Sequence, residues 1–283
     1  YEIVCGDWSA DVCSSDLDVQ SLLTMDACRA AVEAAFGALA RGEVDMPQRA
    51  VLRVPEPHGV FLSMPARIGG ASGALGIKVV TVFPENPARK KLPTTLATLL
   101  LCDPTSGKTV AIMDAGYLTA MRTGAASGVA TKYLARKDAK VCTLFGAGVQ
   151  ARTQLMAMKA VRPIAKAFVV DVAPEAAGSF AREMASALGI EVAATEDARA
   201  AVAAADIIVT ASSSQVPVFS GAWLKPGTHI NNVGSHSPGA RELDTATVKG
   251  SKFVADLKAA NLAEAGDILI PTQEGAVTVA HIH

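Results

Sequence analysis

The sequence has few charged residues, no run of basic residues and no long apolar segment, and each absence excludes a class of protein. Charged residues make up 19% of the 283 residues, and the formal net charge is −1. Without a basic stripe, neither nucleic acid nor an acidic membrane surface is an expected partner. The longest apolar stretches, such as residues 96–102, are far too short to span a bilayer. Half of the residues are hydrophobic, which is typical of a globular chain.

Cysteine and histidine are also sparse, and neither shows a ligand-like spacing. The five cysteines are scattered along the chain, which favours reduced thiols in a cytoplasmic protein. His281 and His283 have no cysteine or carboxylate cluster beside them. We therefore expect no metal site.

Both ends of the chain differ from the rest. Residues 1–17 carry no clear helical or strand period, and Asp7 to Leu17 resemble the translation of a sequencing-adapter oligonucleotide. We therefore expect residues 1–17 to be an artefact or disordered, with no part in the fold. At the other end, the chain stops at His283 without a closing element, so we expect a truncated C-terminal segment.

The first part of the chain, residues 18–122, predicts one helix followed by a group of strands. Residues 25–41 carry apolar residues at helical spacing and end at Gly42. The predicted strands are 49–54, 59–64, 74–82, 96–102 and 109–113, of which the last two form a hairpin around 103–107. Because the connections are too short for parallel crossovers, this part is predicted to be a strand-rich α+β domain.

The second part, residues 123–283, changes to an alternation of strands and helices. After a long helix over 116–135, the predicted strands are 140–145, 167–172, 190–193, 207–210, 228–233 and 253–255, and the predicted helices between them are 153–161, 174–188 and 197–204. This α/β alternation is typical of a Rossmann-type, doubly wound parallel sheet.

A G-x-G-x-x-A motif lies between the first strand of this alternation and the next helix. Gly146 permits a tight turn, and Gly148 lets the backbone approach a pyrophosphate at a helix N-terminus. Asp171, at the end of the second strand, is placed to bind ribose hydroxyls and favours NAD, although NADP is not excluded. The motif alone is weak, since a glycine-rich turn without function has the same letters. The predicted cofactor-binding residues are Gly146, Gly148, Val149, Gln150, Asp171, Thr210 and Gly234.

Five stretches of the chain resemble the ornithine cyclodeaminase/mu-crystallin family. They are MPQRAVL at 46–52, GIKVVTVFPENP at 76–87, the long run at 92–136 that contains TAMRTGAASG, LFGAGVQAR at 144–152 and HINNVGSHSPGARELD at 229–244. The resemblance implies an N-terminal substrate-binding and dimerisation domain before the Rossmann domain, and a homodimer. It also implies an enzyme that forms or consumes an imine at the α-carbon of an amino acid, with hydride passed to or from a nicotinamide.

Arg49, Lys78, Thr94 and Arg122 match the substrate-site positions of that family one by one. An amino-acid or imino-acid site needs a planar cation for the carboxylate, which arginine supplies. Lys78 lies in an apolar strand, where desolvation lowers the pKa of an amine towards neutrality and makes it a usable acid or base. Each residue also has a plain interpretation: a solvated arginine at a strand edge, a lysine reaching for water, or a threonine that caps a turn.

His236 bears on which reaction is run. The resemblance places an acidic residue of the cyclodeaminases at the position of His236, and an imidazole does not supply that negative charge. His236 is equally consistent with a residue that only shapes the turn. We therefore expect reduction of a cyclic ketimine such as pyrroline-2-carboxylate, or interconversion of an amino acid and its 2-oxo acid. The alternatives are ornithine cyclodeamination and a non-catalytic NAD(P)-binding protein like mu-crystallin.

Overall fold

The structure, a computed structural model, describes residues 13–70, 73–235 and 237–283. His236 and most of the expected artefact therefore lie outside the described residues. The contacts between residues divide the chain into two units, 1–122 and 123–283.

The first unit is built on an antiparallel sheet. Its strands are β1 (Cys13–Ser14), β2 (Val44–Asp45), β3 (Ala50–Val54), β4 (Gly59–Ile68), β5 (Ala74–Val82), β6 (Thr95–Cys102) and β7 (Thr109–Asp114). Its helices are α1 (Asp16–Leu22), α2 (Met25–Ala40) and α3 (Asn86–Lys90), and α4 (Gly116–Leu134) begins in this unit. Within the described residues the strand order is β1-β7-β6-β5-β4-β2, with β3 paired to β4. The predicted α+β domain and its hairpin are confirmed.

Residues 13–17 correct one sequence-based expectation. We expected no part in the fold before residue 18, but β1 pairs in parallel with β7, where Cys13 lies opposite Ile112. Asp16 Oδ1 accepts a hydrogen bond from the Tyr117 N–H at 2.9 Å, across about a hundred residues of sequence. Backbone pairing and a carboxylate at the start of α4 need no hydrophobic period, which is why the sequence pattern did not reveal them.

The core of the first unit lies on one face of its sheet. Val80 of β5, Ala97 of β6 and Ala115 are buried together, and Leu62 and Leu118 pack against them. Since successive side chains of a strand point to opposite faces, the neighbours of Val80 at 78 and 82 face this same core. Lys78 therefore lies on the apolar face of the sheet.

The second unit is a parallel sheet with helical connections. Its strands are β8 (Val141–Phe145), β9 (Lys166–Val170), β10 (Glu191–Ala194), β11 (Ile207–Thr210) and β12 (His229–Asn232), in the order β10-β9-β8-β11-β12. Its helices are α5 (Val149–Val161), α6 (Pro174–Leu188), α7 (Ala198–Ala204), α8 (Thr245–Gly250), α9 (Lys258–Glu264) and α10 (Gly266–Gln273), with single 3₁₀ turns at Gly221–Trp223 and Val279–His281. The predicted doubly wound sheet is confirmed. The strand order reverses at β8, which is where such sheets bind ligands.

Two local predictions in this unit were wrong. The sequence placed a strand at 253–255, but the structure has only a single bridge there, from Phe253 to Ile282. Three apolar residues do not distinguish a strand from a short extended contact. The helix predicted to begin at Thr153 begins at Val149, immediately after the glycine turn.

A buried guanidinium closes the C-terminal end of α4. Arg162 Nη2 donates to the carbonyl oxygens of Thr131, Lys132 and Ala135 at 2.7–2.9 Å. Its Nε donates to the carbonyl oxygen of Arg136 at 2.8 Å. A cation at the end of a helix satisfies carbonyl groups that have no partner within the helix. None of the described helices has the length and apolar composition needed to cross a membrane.

Candidate active site

The glycine turn joins β8 to α5. Gly146 has φ +101°, and a Cβ there would lie 2.5 Å from the carbonyl oxygen of Ala211, so only glycine fits without strain. Around Gly148, in contrast, a Cβ would meet nothing within 4 Å. Gly148 is the N-cap of α5 and provides no side chain to accept from the first N–H groups of the helix. The start of α5 is thus open to an anion.

Val149 and Gln150 form the first turn of α5. The side chain of Val149 is largely exposed. Gln150 Oε1 is buried and accepts no hydrogen bond from the described part of the chain. A buried amide oxygen without a donor is costly, and a ligand with a hydroxyl or amide group would satisfy it.

Asp171 follows β9 directly and faces the same turn. Its Oδ2 accepts a hydrogen bond from the Ala147 N–H, and its Oδ1 accepts one from the Ala173 N–H, both at 2.8 Å. Each carboxylate oxygen has two acceptor positions, so both oxygens retain the capacity to bind ribose hydroxyls. The carboxylate also ties the glycine turn to the end of β9.

Arg152 braces the other side of the turn, and the sequence analysis gave it no role. Its Nη1 donates to the carbonyl oxygens of Ala147 at 2.7 Å and Gly148 at 3.1 Å. Its Nε and Nη2 donate to the Glu183 carboxylate at 2.9 and 2.7 Å. By holding these carbonyl groups, the guanidinium fixes the orientation of the peptide planes in the turn. The LFGAGVQAR stretch contains Arg152, but only the fold brings Glu183 to it.

Two further strand ends carry the remaining cofactor candidates. Thr210 ends β11, where its hydroxyl donates to Asn232 Oδ1 at 3.0 Å. Gly234 follows β12, and its N–H donates to Glu242 Oε2 at 2.8 Å. Glu242 Oε1 accepts from the Ser212 N–H at 2.8 Å and from its hydroxyl at 2.5 Å. Glu242, which is buried, is the second residue that the sequence analysis missed, although the quoted motif at 229–244 contains it.

In the first unit, Lys78 is the basic group whose pKa departs furthest from its ordinary value. It lies in β5 opposite Met64 of β4 and Leu99 of β6, on the core face. Burial, followed by the positive charges of Arg122 and Arg49, lowers the pKa of Lys78 to about 7. An amine with such a pKa exchanges its proton near neutrality.

The other substrate-site candidates come from separate elements of the same unit. Arg49 precedes β3, and Arg122 lies in α4; their charges act on Lys78, so the structure brings these three residues together. Thr94 lies just before β6, where its carbonyl oxygen accepts from the Phe83 N–H at 2.8 Å and joins β6 to the end of β5. His236, the fifth candidate, lies outside the described residues.

His229 is a structural residue of the second unit. Burial lowers its pKa to about 4, so the ring is neutral at physiological pH. Its Nε2 lies 3.1 Å from the Thr131 hydroxyl and 3.3 Å from Asn231 Oδ1. No group of three His, Cys, Asp or Glu side chains among the described residues is arranged to hold a metal ion.

The sheet order, the open start of α5, the positive-φ glycine and the acid after β9 are the features with which a dinucleotide-binding fold holds its cofactor. The residues present fit such a cofactor: the turn has room at Gly148, and Asp171 and Gln150 have free acceptor capacity. The first unit carries a group of basic side chains, Lys78, Arg49 and Arg122, of the kind that suits a carboxylate.

The chain belongs to the ornithine cyclodeaminase/mu-crystallin family, whose family model matches residues 10–282. The resemblance drawn from the sequence motifs is therefore confirmed. A Delta(1)-pyrroline-2-carboxylate reductase of Bacillus cereus is 40% identical over 238 residues, which cover 84% of this chain and 72% of the relative.

Solved structures agree with this assignment. The Delta(1)-pyrroline-2-carboxylate reductase of Thermococcus litoralis, in complex with NADH and L-proline, is 47% identical with a TM-score of 0.93, over 96% of this chain and 84% of that one. An archaeal alanine dehydrogenase dimer with bound NAD is 37% identical with a TM-score of 0.88, over 96% of this chain and 82% of that one. These relatives are reductases and dehydrogenases of imino and amino acids, the class of enzyme that the sequence analysis predicted.

Proposed function

We propose that this protein is an NAD-dependent oxidoreductase that reduces the C=N bond of a cyclic imino acid of the pyrroline-2-carboxylate type. The observation that carries the proposal is Lys78, a partly buried amine on the core face of the sheet, with a pKa of about 7 and two guanidinium groups whose charges act on it. Guanidinium groups beside an amine suit the binding of a planar anion. The carboxylate of an imino acid is such an anion.

The three basic residues divide the work. Arg49 and Arg122 bind the substrate carboxylate and thereby orient the imine. Lys78, in its protonated form, donates a proton from Nζ to the imine nitrogen. NADH, when bound, would supply the hydride for the α-carbon; together with the proton from Lys78, this would convert C=N to CH–NH with the charge balanced. In this proposal the Thr94 hydroxyl and His236 help to orient the substrate.

The cofactor side of the proposal rests on Asp171. A carboxylate that already accepts two backbone N–H groups presents a fixed negative charge where a ribose hydroxyl would bind. A 2′-phosphate at that place would be repelled, so NAD is preferred over NADP. The relatives from Thermococcus litoralis and the archaeal dehydrogenase were solved with NADH and NAD respectively, which supports the same choice.

We further propose that the protein is a cytoplasmic homodimer that associates through the outer face of its antiparallel sheet. Leu52, Phe61 and Leu96 lie in one cross-strand row, away from the core, and are 63%, 36% and 39% exposed. The archaeal relative is a dimer, which favours a second copy as the occupant. Three described cysteines are free thiols, in keeping with a reducing compartment. A lysine in place of Phe61 should reduce the mass measured by sedimentation, and an unchanged mass would contradict the dimer face.

A substrate panel tests the activity. NADH oxidation is followed with pyrroline-2-carboxylate, with pyruvate plus ammonia and with iminosuccinate, and ammonia release is followed with ornithine and NAD. We expect the fastest NADH oxidation with pyrroline-2-carboxylate. Ammonia release from ornithine with no net NADH consumption would identify a cyclodeaminase instead. Cofactor binding without turnover of any substrate would identify a binding protein.

A further inference from the structure

Glu242 joins two loops of the second unit through one buried carboxylate. Only 1% of the residue is exposed. Its Oε1 accepts from the N–H and hydroxyl of Ser212, just after β11, and its Oε2 accepts from the N–H of Gly234, just after β12. The carboxylate therefore sets the separation between the ends of two neighbouring parallel strands.

The contact is closely packed and supported from behind. A Cβ at Gly234 would lie 2.3 Å from Glu242 Oε2 and 2.5 Å from the carbonyl oxygen of Ser212, so the loops approach as closely as glycine allows. The backbone N–H groups of Glu242 and Leu243 donate to Asp267 Oδ1 at 2.9 and 2.7 Å. Asp267 is itself 1% exposed, so a second buried acid holds the segment that carries the first.

A buried carboxylate costs free energy because its charge is removed from water. Burial accordingly raises the pKa of Glu242, although the hydrogen bonds from Ser212 and Gly234 act in the opposite direction. An apolar residue of similar size would avoid that cost if packing were the only need. A carboxylate with three aimed donors instead fixes both loops in one geometry.

The position of the Glu242 carboxylate, between the loops that follow β11 and β12, indicates its role. In a doubly wound sheet, the acid after the second strand binds the adenosine half of a dinucleotide, and the other half lies across the strand ends beyond the reversal. Here those are the ends of β11 and β12, which carry Ser212 and Gly234. We propose that Glu242 is the positioning residue for the nicotinamide half of the cofactor, and that Asp267 supports it. This inference rests on the proposed use of NAD.

The test compares two ligands, NADH and ADP-ribose, which share everything except the nicotinamide riboside. Glu242→Gln keeps the size of the side chain but turns an amide donor towards the N–H of Ser212 or Gly234. We expect the affinity for NADH to fall about tenfold, the order expected when one buried donor is left unpaired. The affinity for ADP-ribose should stay within about twofold, because no contact to the adenosine half changes. In the cofactor-free protein, amide hydrogen exchange at Ser212 and Gly234 should accelerate.

Asp244→Asn is the matched control. Asp244 lies two residues further on and is half-buried; like Glu242, it accepts from backbone N–H groups, those of Thr247 at 2.7 Å and Gly221 at 2.9 Å. It caps α8 and contacts neither strand end, so its loss should lower the melting temperature and leave the ratio of the two affinities unchanged. Glu242→Asp, which keeps the charge but has a shorter reach, should give an intermediate ratio and serves if the glutamine variant does not fold.

The possible failures are distinguishable. If the unaltered protein binds neither NADH nor ADP-ribose, the proposed function is wrong and this inference falls with it. If the protein binds both but the Glu242 variants weaken both equally, or weaken neither, the proposed function stands and Glu242 is a structural brace only.

Discussion

Replacing Lys78 by methionine is expected to stabilise the protein near neutral pH while it removes the activity. The pKa of Lys78 is lowered from 10.5 to about 7, mainly by burial, so the folded state pays for protonation of this amine whereas the unfolded chain does not. The full difference corresponds to about 5 kcal/mol at the standard conversion of pKa to free energy, an upper bound because the side chain is only partly excluded from water. Methionine keeps the apolar stem and removes the charge.

The sign of the effect follows from the direction of the shift. Between the folded and unfolded pKa values the unfolded chain binds more protons, so the stability of the unaltered protein rises with pH. The gain in free energy of unfolding from Lys78→Met is therefore greatest below about pH 7 and decreases by about 2 kcal/mol between about pH 7 and pH 9. Urea denaturation followed by circular dichroism at several pH values measures this difference directly. Lys108→Met is the control, because Lys108 is exposed in the turn between β6 and β7 and its loss should have no pH-dependent effect.

Two results would refute this reasoning. A Lys78→Met advantage that does not change with pH would show that the amine is not the titrating group. A variant less stable than the unaltered protein below about pH 7 would show that Lys78 is paired with a negative charge, which stabilises its protonated form.

The remaining predictions concern single residues of either unit. Arg122→Met should weaken transition-state binding of the imino acid by about 3–5 kcal/mol, measured from kcat/KM, and leave the NADH affinity unchanged. An equal loss of NADH affinity would show that Arg122 does not belong to the substrate site. Asp171→Ser should narrow the preference for NADH over NADPH in steady-state kinetics, and an unaltered protein that prefers NADPH would contradict the role of Asp171. Arg152→Met should weaken NADH and ADP-ribose alike, since the guanidinium holds the shared phosphate turn; a loss confined to NADH would contradict this. Burial lowers the pKa of His229 from 6.5 to about 4, so the contribution of the neutral ring to the free energy of unfolding is complete above pH 6.5 and is lost as the pH falls towards 4. His229→Gln should remove most of this acid sensitivity, which is worth about 3 kcal/mol. An unchanged acid transition would show that another group titrates.

The architecture of both units was predictable because local patterns carry it. Alternating strands and helices determine the parallel sheet, and the strand-rich first part with its hairpin determines the antiparallel one. The glycine turn was placed correctly between β8 and α5, since φ +101° at Gly146 leaves little choice of residue. The start of α5 was missed by four residues, because Gly148 caps the helix without a capping side chain that the sequence would show.

What the sequence did not reveal depends on contacts between distant residues. Glu183 meets Arg152 from the next helix, and Glu242 meets Ser212 across 30 positions, and no periodic signal marks either pair. The pairing of β1 with β7 joins residues about a hundred positions apart and was missed for the same reason. The available sequence signal for such residues was a charged residue isolated among apolar or glycine residues, and the prediction for Lys78 rests on this signal.

The central claim is that this protein transfers hydride from NADH to the α-carbon of a cyclic imino acid. The most direct measurement uses NADH with both hydrogens at C4 of the nicotinamide replaced by deuterium, pyrroline-2-carboxylate as substrate, and mass spectrometry with NMR of the product. The account predicts proline with one deuterium at the α-carbon, formed by the unaltered protein and lost in Arg122→Met. Proline without deuterium, or no proline at all while ADP-ribose and NADH still bind, would contradict it.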